Sequence, residues 1–369
     1  MIQLCEYTTR VASSIDDRIQ SSRGTLILTR ADVSRVLTVR ACIDAVEGAF
    51  LRHARRETIA PGILGAHVEG GGFHVKTAGL LASGQGASLF AAKVNANFPG
   101  NPDRNGLPTI QGVIALFDAA GGRVLALLDS IEITNLRTAA ASAVAAKYLA
   151  PQRAIVAVCG CGEQGRSHLR ALACVRRLER VTAIDVNRDR ARAFADEMSA
   201  ELDVAITMAD HPSDVARDTT IWVTCTPARR WFLGRAHVAP GAFVAAVGAD
   251  NPEKQEIEPE LLAENVVIAD ALEQSATIGD LHHAIAAGAM RREDVRAELS
   301  DVVGGRTPGR RTEEEIIIFD STGTALQDVA AAAVAYERAL ATSVGLFVDL
   351  GGAMPLMAPS FDSRAGSVR

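Results

Sequence analysis

The sequence predicts an α/β protein built on a parallel sheet covered by helices on both faces. Three observations predict it. Strands and helices alternate from residue 152 onward, a glycine-rich turn joins the first of these strands to its helix, and 4% of residues are aromatic against 48% hydrophobic. Such alternation builds parallel strands with crossover helices. A core short of rings must be made of Ala, Val, Leu and Ile, which suits buried parallel strands better than an aromatic-rich sandwich. At 369 residues the chain is long enough for two domains.

Residues 1–24 are polar and lack periodicity, so they read as a loose extension without the apolar stretch of a signal peptide. The segment 25–60 opens with TLILT and continues as ADVSRVLTVRACIDAVEGAFLRHARRE. Its apolar residues recur at helical spacing through Ala45 and Phe50, with Asp32 or Ser34 as the cap, and it reads as a helix. From 63 to 128 the runs GFHVKTAGL, SLFAAKVNANF, TIQGVIALFD and RVLALLD read as strands of one sheet, with DAAGGR the clearest turn. The proline-rich loop 99–108 is long enough to carry function. In SIEITNLRTAAASAVAAKYLAP the helical period returns, capped at Thr134 or Asn135 and ended by Pro151.

The alternating part then follows. RAIVAVCG and RVTAIDV are strands, each trailed by a helix, and TIWVTCT, GAFVAAVGA, NVVIAD and EIIIFDS are later strands. TALQDVAAAAVAYERALA is a final Ala-rich helix, long enough to cross a domain boundary, and the stretch 351–369 is an irregular tail.

Charge and cysteines exclude several classes. The net charge of −6 provides no field for phosphate backbones, so nucleic acid is not an expected partner. No run approaches the roughly 18 apolar residues of a membrane span. The six cysteines include no C-x-x-C pair, so structural zinc is not indicated. Cys159, Cys161, Cys174 and Cys225 read as small buried residues of a reducing, cytoplasmic compartment.

The strongest motif is Gly160-Cys161-Gly162-Glu163-Gln164-Gly165. It follows an apolar strand, opens a helix, and is followed at Asp185 by an acidic residue ending the second strand. Gly160 permits the tight turn, Gly162 lets backbone approach a pyrophosphate, and Gly165 lets helix and strand close up. The helix N-terminus then presents free N–H groups to the phosphates. Asp185 suits ribose hydroxyls and repels a 2′-phosphate, so NAD is favoured over NADP, although Arg188 is near enough to reach a phosphate. A simple cap of the following helix is the alternative for Asp185. Glu163, Gln164 and Thr226, the last at the end of TIWVTCT, are placed with the cofactor-binding residues.

Three residues are candidates for chemistry. Lys93 interrupts an apolar strand, and a buried lysine needs an anionic partner such as a substrate carboxylate. An exposed edge-strand lysine is the alternative. Arg137 sits in the expected first turn of its helix, where a cation opposes the dipole unless it is held there for an anion. Swinging out to solvent, or pairing with an internal carboxylate, are its alternatives. Asp250 follows GAFVAAVGA at the carboxyl edge of the sheet, where a general base would be well placed, or where an Asx turn would precede Pro252. Lys254 and Glu256 read as a solvated loop, His168 as a packing residue, and the His282–His283 pair as lacking metal-ligand partners.

With these residues in view, the chain resembles the ornithine cyclodeaminase/μ-crystallin family, which includes certain alanine dehydrogenases and ketimine reductases. The likeness is carried by AAKVNANFPGNP (91–102), the run from 106 to 150, VAVCGCGEQGRSHLRAL (156–172), VGADNPEKQEI (247–257) and TPGRRTEEEIIIFDSTGTALQDVAAAAVAYERA (307–339). It implies a central Rossmann domain, 133–321, inserted in a discontinuous α+β substrate-binding and dimerisation domain made of 25–132 and 322–350. It also implies a homodimer. Lys93 falls on the family's substrate-binding lysine, Arg137 on its carboxylate-binding arginine and Asp250 on its acid/base aspartate. Where members commonly carry a second arginine, this chain has Gly62 and Ile63; Lys76 is positioned to supply the missing charge, and Thr277 replaces a frequent glutamate. The leading expectation is an NAD-dependent ornithine cyclodeaminase, forming proline and ammonia through a cyclic imine. An amino-acid dehydrogenase or imine reductase is the alternative, and a non-catalytic small-molecule binder the third.

Overall fold

The computed structural model describes residues 24–82 and 87–350. The extension expected over 1–23, with Cys5, and the tail 351–369 lie outside the described residues. Two large sheets organise the chain.

The first sheet draws on both ends of the described chain. Its strands are β1 (Thr25–Leu28), β2 (Thr58–Val68), β3 (Gly71–Leu80), β4 (Leu89–Asn97), β5 (Ile110–Asp118), β6 (Val124–Asp129) and, from the far end, β17 (Leu346–Val348). They lie in the order β17-β1-β6-β5-β4-β3-β2, antiparallel except for the β1–β6 pair. Alternation along the strands gives the sheet two faces. Ala78, Ala91, Ile114, Leu116, Ala126 and Leu128 are buried on the inner one. On the outer face Leu64, Val75, Val94 and Val113 stand opposite one another in a row, and Leu64 is 68% exposed.

The segment read as one helix is a strand followed by two helices. TLIL forms β1, and α1 (Arg30–Val36) and α2 (Val39–Ala54) are separated at Leu37–Thr38. The caps are Thr29 and Thr38; Asp32 serves instead as the acidic member of a capping box on Thr29, and Ser34 lies inside α1. A short α3 (Asn101–Asn105) lies in the 99–108 loop.

Helix α4 (Ser130–Leu149) starts five residues earlier than expected from a Thr134 or Asn135 cap, because Asp129 accepts from the N–H groups of Ile131 and Glu132. It is buried nearly all round, as a helix rich in Ala on every side must be. Its neighbours are α2 and the helices over Glu163–Val175 and Ala325–Thr342.

The second sheet is wholly parallel. Its strands are β7 (Ala154–Cys159), β8 (Leu178–Ile184), β9 (Ile206–Ala209), β10 (Ile221–Thr224), β12 (Phe243–Ala246), β14 (Val266–Ala269), β15 (Ala297–Glu298) and β16 (Ile317–Asp320), in the order β15-β14-β16-β12-β10-β7-β8-β9. The short strands β11 (Arg229–Leu233) and β13 (Gln255–Ile257) pair separately. Val156 and Val158 of β7 join the core shared with α4, α5 (Glu163–Val175) and α6 (Arg188–Leu202). Ala157 and Cys159 point to the opposite core, with α7 (Pro259–Ala263) and α9 (Asp280–Ala286). Between these last two lies α8 (Leu272–Ile278), and α10 (Leu299–Val303) follows β15.

The last helix, α11 (Ala325–Thr342), leaves the second sheet and packs across β3 and β4 of the first. One continuous core therefore runs from the inner face of the first sheet through α4 and α11 to one face of the second. No helix among the described residues is long and apolar enough to cross a membrane. Cys42, Cys159, Cys161, Cys174 and Cys225 are free thiols, the first three buried and the last two half-buried.

Candidate active site

The glycine loop takes the form expected of it. Gly160 adopts φ +103°, and a Cβ there would stand 2.8 Å from the Cys225 carbonyl oxygen. A Cβ at Gly165 would stand 2.2 Å from the Gly160 oxygen, so only glycine lets α5 seat against β7. A Cβ at Gly162 would meet no protein atom. Gly162 also caps α5 without a side chain, which leaves the helix N-terminus open. Asp185 does not cap α6; Asn187 does. The Asp185 carboxylate instead accepts from the Cys161 N–H at 2.9 Å and the Asn187 N–H at 2.9 Å, fixing the loop to the end of β8. Val186 beside it is fully exposed. Gln164 donates to Asn135 on α4, and Glu163 is exposed at the mouth of the turn. Arg188 stands 3.8 Å from Asp210, while Arg190 stands 3.8 Å from Asp185. An uncapped helix end, an open space before Gly162, a carboxylate at the second strand end and an uncovered apolar side chain are the features a dinucleotide requires.

The cations converge on a carboxylate that the sequence reading missed. Lys93 is not on an edge: β4 lies between β3 and β5, and Lys93 stands opposite Lys76 and Ile114. It is 3% exposed, and its Nζ lies 2.7 Å from Asp328 of α11. Arg137 meets the other oxygen of Asp328, Nε to Oδ1 3.0 Å, and donates from Nη1 to Gln327 at 2.8 Å. Arg137 lies beyond the second turn of α4, so opposition to the helix dipole is not what marks it. The internal carboxylate among its alternatives is what holds it. Lys76 donates to the Gly323 carbonyl at 2.7 Å. Gly323 has φ +77°, and a Cβ there would fall 2.2 Å from Arg137, which brings all four charged groups around one turn.

Burial pushes Lys93 down to about 7 against the pull of Asp328, with Arg137 and Lys76 adding to the fall. Burial alone would raise the Asp328 carboxyl, but Lys93 and Arg137 outweigh it and hold the group below its ordinary value. The signal for Asp328 was present in the sequence: QD at 327–328 is the polar interruption of an otherwise apolar helical run, the same anomaly that singled out Lys93.

Asp250 is exposed at the end of the loop after β12 and pairs with Lys254 at 2.7 Å. It lies near enough to Lys76 and His74 to act on their charge. The solvated loop expected at Lys254 and Glu256 is only half correct. Glu256 is fully buried on β13 and accepts from the Thr226 N–H and Oγ1, both at 2.6 Å, and from the Gly248 N–H at 2.8 Å. It thereby fastens the loop after β10 to the loop that carries Asp250. Asp280 holds the next link, accepting from the N–H groups of Glu256 and Ile257. Burial pushes all three of Glu256, Asp280 and Asp320 upward, Asp320 to about 7.

His168 is buried between the Gln164 carbonyl and Ser142, a packing role. His282 and His283 share an edge contact, and no group of described residues is placed to hold a metal ion. Gly62 stands beside Thr77 on β2, and Thr277 is exposed, donating to the carbonyl of Glu273 in its own helix.

Comparison with known proteins follows the same outline. A family model described as the ornithine cyclodeaminase/mu-crystallin family matches residues 23–343. An alanine dehydrogenase of Archaeoglobus fulgidus is 36% identical over 322 residues, covering 87% of this chain and 97% of the relative. The solved archaeal alanine dehydrogenase dimer with bound NAD superposes with a TM-score of 0.83 at 34% identity, over 88% of this chain and 99% of that one. The Thermococcus litoralis Δ1-pyrroline-2-carboxylate reductase, solved with NADH and L-proline, gives 0.83 at 30% identity, over 88% and 100%.

Proposed function

Since the chain belongs to the ornithine cyclodeaminase/mu-crystallin family, we propose that it is an NAD-dependent oxidoreductase acting at the α-carbon of a small amino or imino acid. The observation that carries this reading is the cluster of Lys76, Lys93 and Arg137 around Asp328, beside the Asp250 loop. Lys93 and Arg137 share one fully buried carboxylate and Lys76 stands beside them on the Gly323 carbonyl, which leaves donors for the carboxylate of a substrate. NAD supplies the hydride acceptor or donor when bound. Gly160, Gly162, Gly165, Glu163, Gln164, Asp185 and Thr226 are the residues that would hold it, and its binding in two solved relatives supports the assignment.

The chain's own groups then divide the work. Lys93 and Arg137 hold the α-carboxylate, and Lys76 supplies the charge that Gly62 lacks. Asp250 accepts or returns the proton at the substrate nitrogen, a step worth about 10²–10⁴-fold in rate for a positioned acid or base. Residues 25–132 and 322–350 form the substrate-binding part and 133–321 the nucleotide-binding part. The outer row Leu64, Val75, Val94 and Val113 is the face of a homodimer.

Ornithine cyclodeaminase is the second reading, favoured by the placement of Asp250 at an open edge where a terminal amine can reach it. The net redox reading is preferred because Thr277 is bonded to its own helix and offers no carboxylate to a second ammonium group. Incubation with ornithine and catalytic NAD separates the two. Proline and ammonia without NADH build-up establish the cyclodeaminase; in a separate incubation supplied with NADH, its consumption one for one with a cyclic imine, or with a keto acid and ammonia, establishes the oxidoreductase. Failure of an amino-acid and cyclic-imine panel to turn over refutes both.

A further inference from the structure

The row of side chains that carries the lysine pair continues past it. Successive residues on one face of a sheet are two apart, so His74 follows Lys76 on β3, and Asn95 follows Lys93 on β4. The register places His74 directly opposite Asn95. Helix α11 does not cover them. It meets the sheet at Lys93 through Asp328, and its later residues Ala330, Ala333 and Val334 lie with Leu80 and Leu89 at the opposite end of the strands. His74 and Asn95 therefore lie beyond its N-terminal end. Both are half-buried, and the loop of Asp250 is near enough to act on the charge of His74.

The chemistry of this extension is that of hydrogen-bond donation. Ser130 donates to Asn95 Oδ1 at 2.6 Å, so the amide oxygen is spent and the Nδ2 donors remain. The opposite position on β5 is Gly112, where a Cβ would fall 2.2 Å from Asn95 Oδ1; only glycine leaves room for the asparagine to lean toward Ser130. Burial and the neighbouring Lys76 lower His74, leaving a neutral ring with one N–H to give. Next to them stand the ammonium groups of Lys76 and Lys93. The nearby carboxylate Asp328 is engaged by Lys93 and Arg137, and Asp250 by Lys254.

We propose that His74 and Asn95 form the side-chain half of the substrate pocket and select an amino or imino acid whose side chain carries an acceptor oxygen, a carboxylate or carboxamide. The proposal rests on the reading of Lys93 and Arg137 as the α-carboxylate site, and names the class of substrate that site takes. A substrate anchored there extends along the same face of the sheet toward His74. An ammonium group at that end would meet donors and further positive charge, whereas an oxygen would complete two vacant hydrogen bonds.

Binding to the NAD-loaded full chain tests it, with succinate and butyrate as probes of equal chain length, followed by isothermal titration. Succinate is expected to bind at least tenfold more tightly than butyrate. His74→Ala and Asn95→Ala should each cut that preference to threefold or less while leaving butyrate affinity unchanged. Lys93→Met should weaken both probes together. Equal binding of the two probes by the unaltered protein, or a preference that survives both substitutions, overturns the proposal. If neither probe binds and Lys93→Met changes nothing, the α-carboxylate reading itself fails, a separate result. Turnover of short amino acids in the same variants provides the second readout: KM for an aspartate-type substrate should rise at least tenfold more than KM for alanine in His74→Ala, and an equal rise for both overturns the proposal.

Discussion

Asp328 offers the sharpest test of how the site is held together. The perturbation is Asp328→Asn, which keeps the shape and removes the charge. In the structure this carboxylate is 1% exposed and touches Lys93 at 2.7 Å and Arg137 at 3.0 Å. At an effective dielectric near 20, each contact of about 3 Å is worth roughly 5–6 kcal/mol before desolvation. Burying the three ions returns most of that, and the measured cost of breaking such a buried pair is about 3–5 kcal/mol. In a chain of 369 residues, with an unfolding entropy of about 2.1 cal/mol/K per residue, that corresponds to a fall in Tm of about 4–6 °C. The sign with pH follows from Lys93, whose folded value is already depressed to about 7 by burial. Without Asp328 it falls further, so the folded variant binds fewer protons than the unfolded chain and is penalised most at low pH. The variant's deficit against the unaltered protein should be larger at pH 6 than at pH 9, where Lys93 is neutral in both. Thermal unfolding at the two pH values checks this. A Tm within 2 °C of the unaltered protein at pH 6, or a deficit that grows with pH, refutes the reasoning.

Other expectations follow from the same geometry. Gly162→Ala should leave Tm within about 2 °C, because its Cβ meets no protein atom, yet weaken NADH at least tenfold by fluorescence titration. Gly165→Ala should lower both, since its Cβ falls on the Gly160 carbonyl. For an acidic substrate, kcat/KM should be flat below about pH 7 and fall above it as Lys93 loses its proton, and Lys93→Arg should move that limb out of range. Glu256→Gln faces an amide NH₂ toward backbone donors and loses at least one bond, a cost of about 1–3 kcal/mol. That loss should appear as weaker NADH binding and lower kcat, and unchanged values for both would deny Glu256 its clamping role.

The sequence revealed what periodicity and composition can reveal. The apolar strand AIVAVC and the glycine turn after it announced the nucleotide-binding edge, and Lys93 stood out against its strand. Arg137 was picked for a reason that fails. Its helix is capped by Asp129, five residues before the Thr134 that itself looked like a cap, because Ser, Thr and Asn so near a helix end all resemble caps. Asp328 and Glu256 were missed for a different cause. Each is meaningful only through a partner far along the chain, Lys93 and Thr226 respectively, and no local window contains both. Within PEKQEI, Glu256 looks like every other charge; only the pairing of β13 with β11 carries it inward.

The order in which the site's parts leave the ribosome follows from α11. Lys76 and Gly323 are 247 positions apart, and Arg137 and Gln327 are 190 apart. Three positive groups are thus synthesised long before the single negative group that lets them go inside. Until α11 arrives, the half-made first sheet has no favourable way to sequester its lysines, and it also lacks the strand β17 that zips along β1. Synthesis of α11 is therefore the event that closes the charged cluster, and a fragment halted before residue 328 is left with buried cations that have no carboxylate to meet.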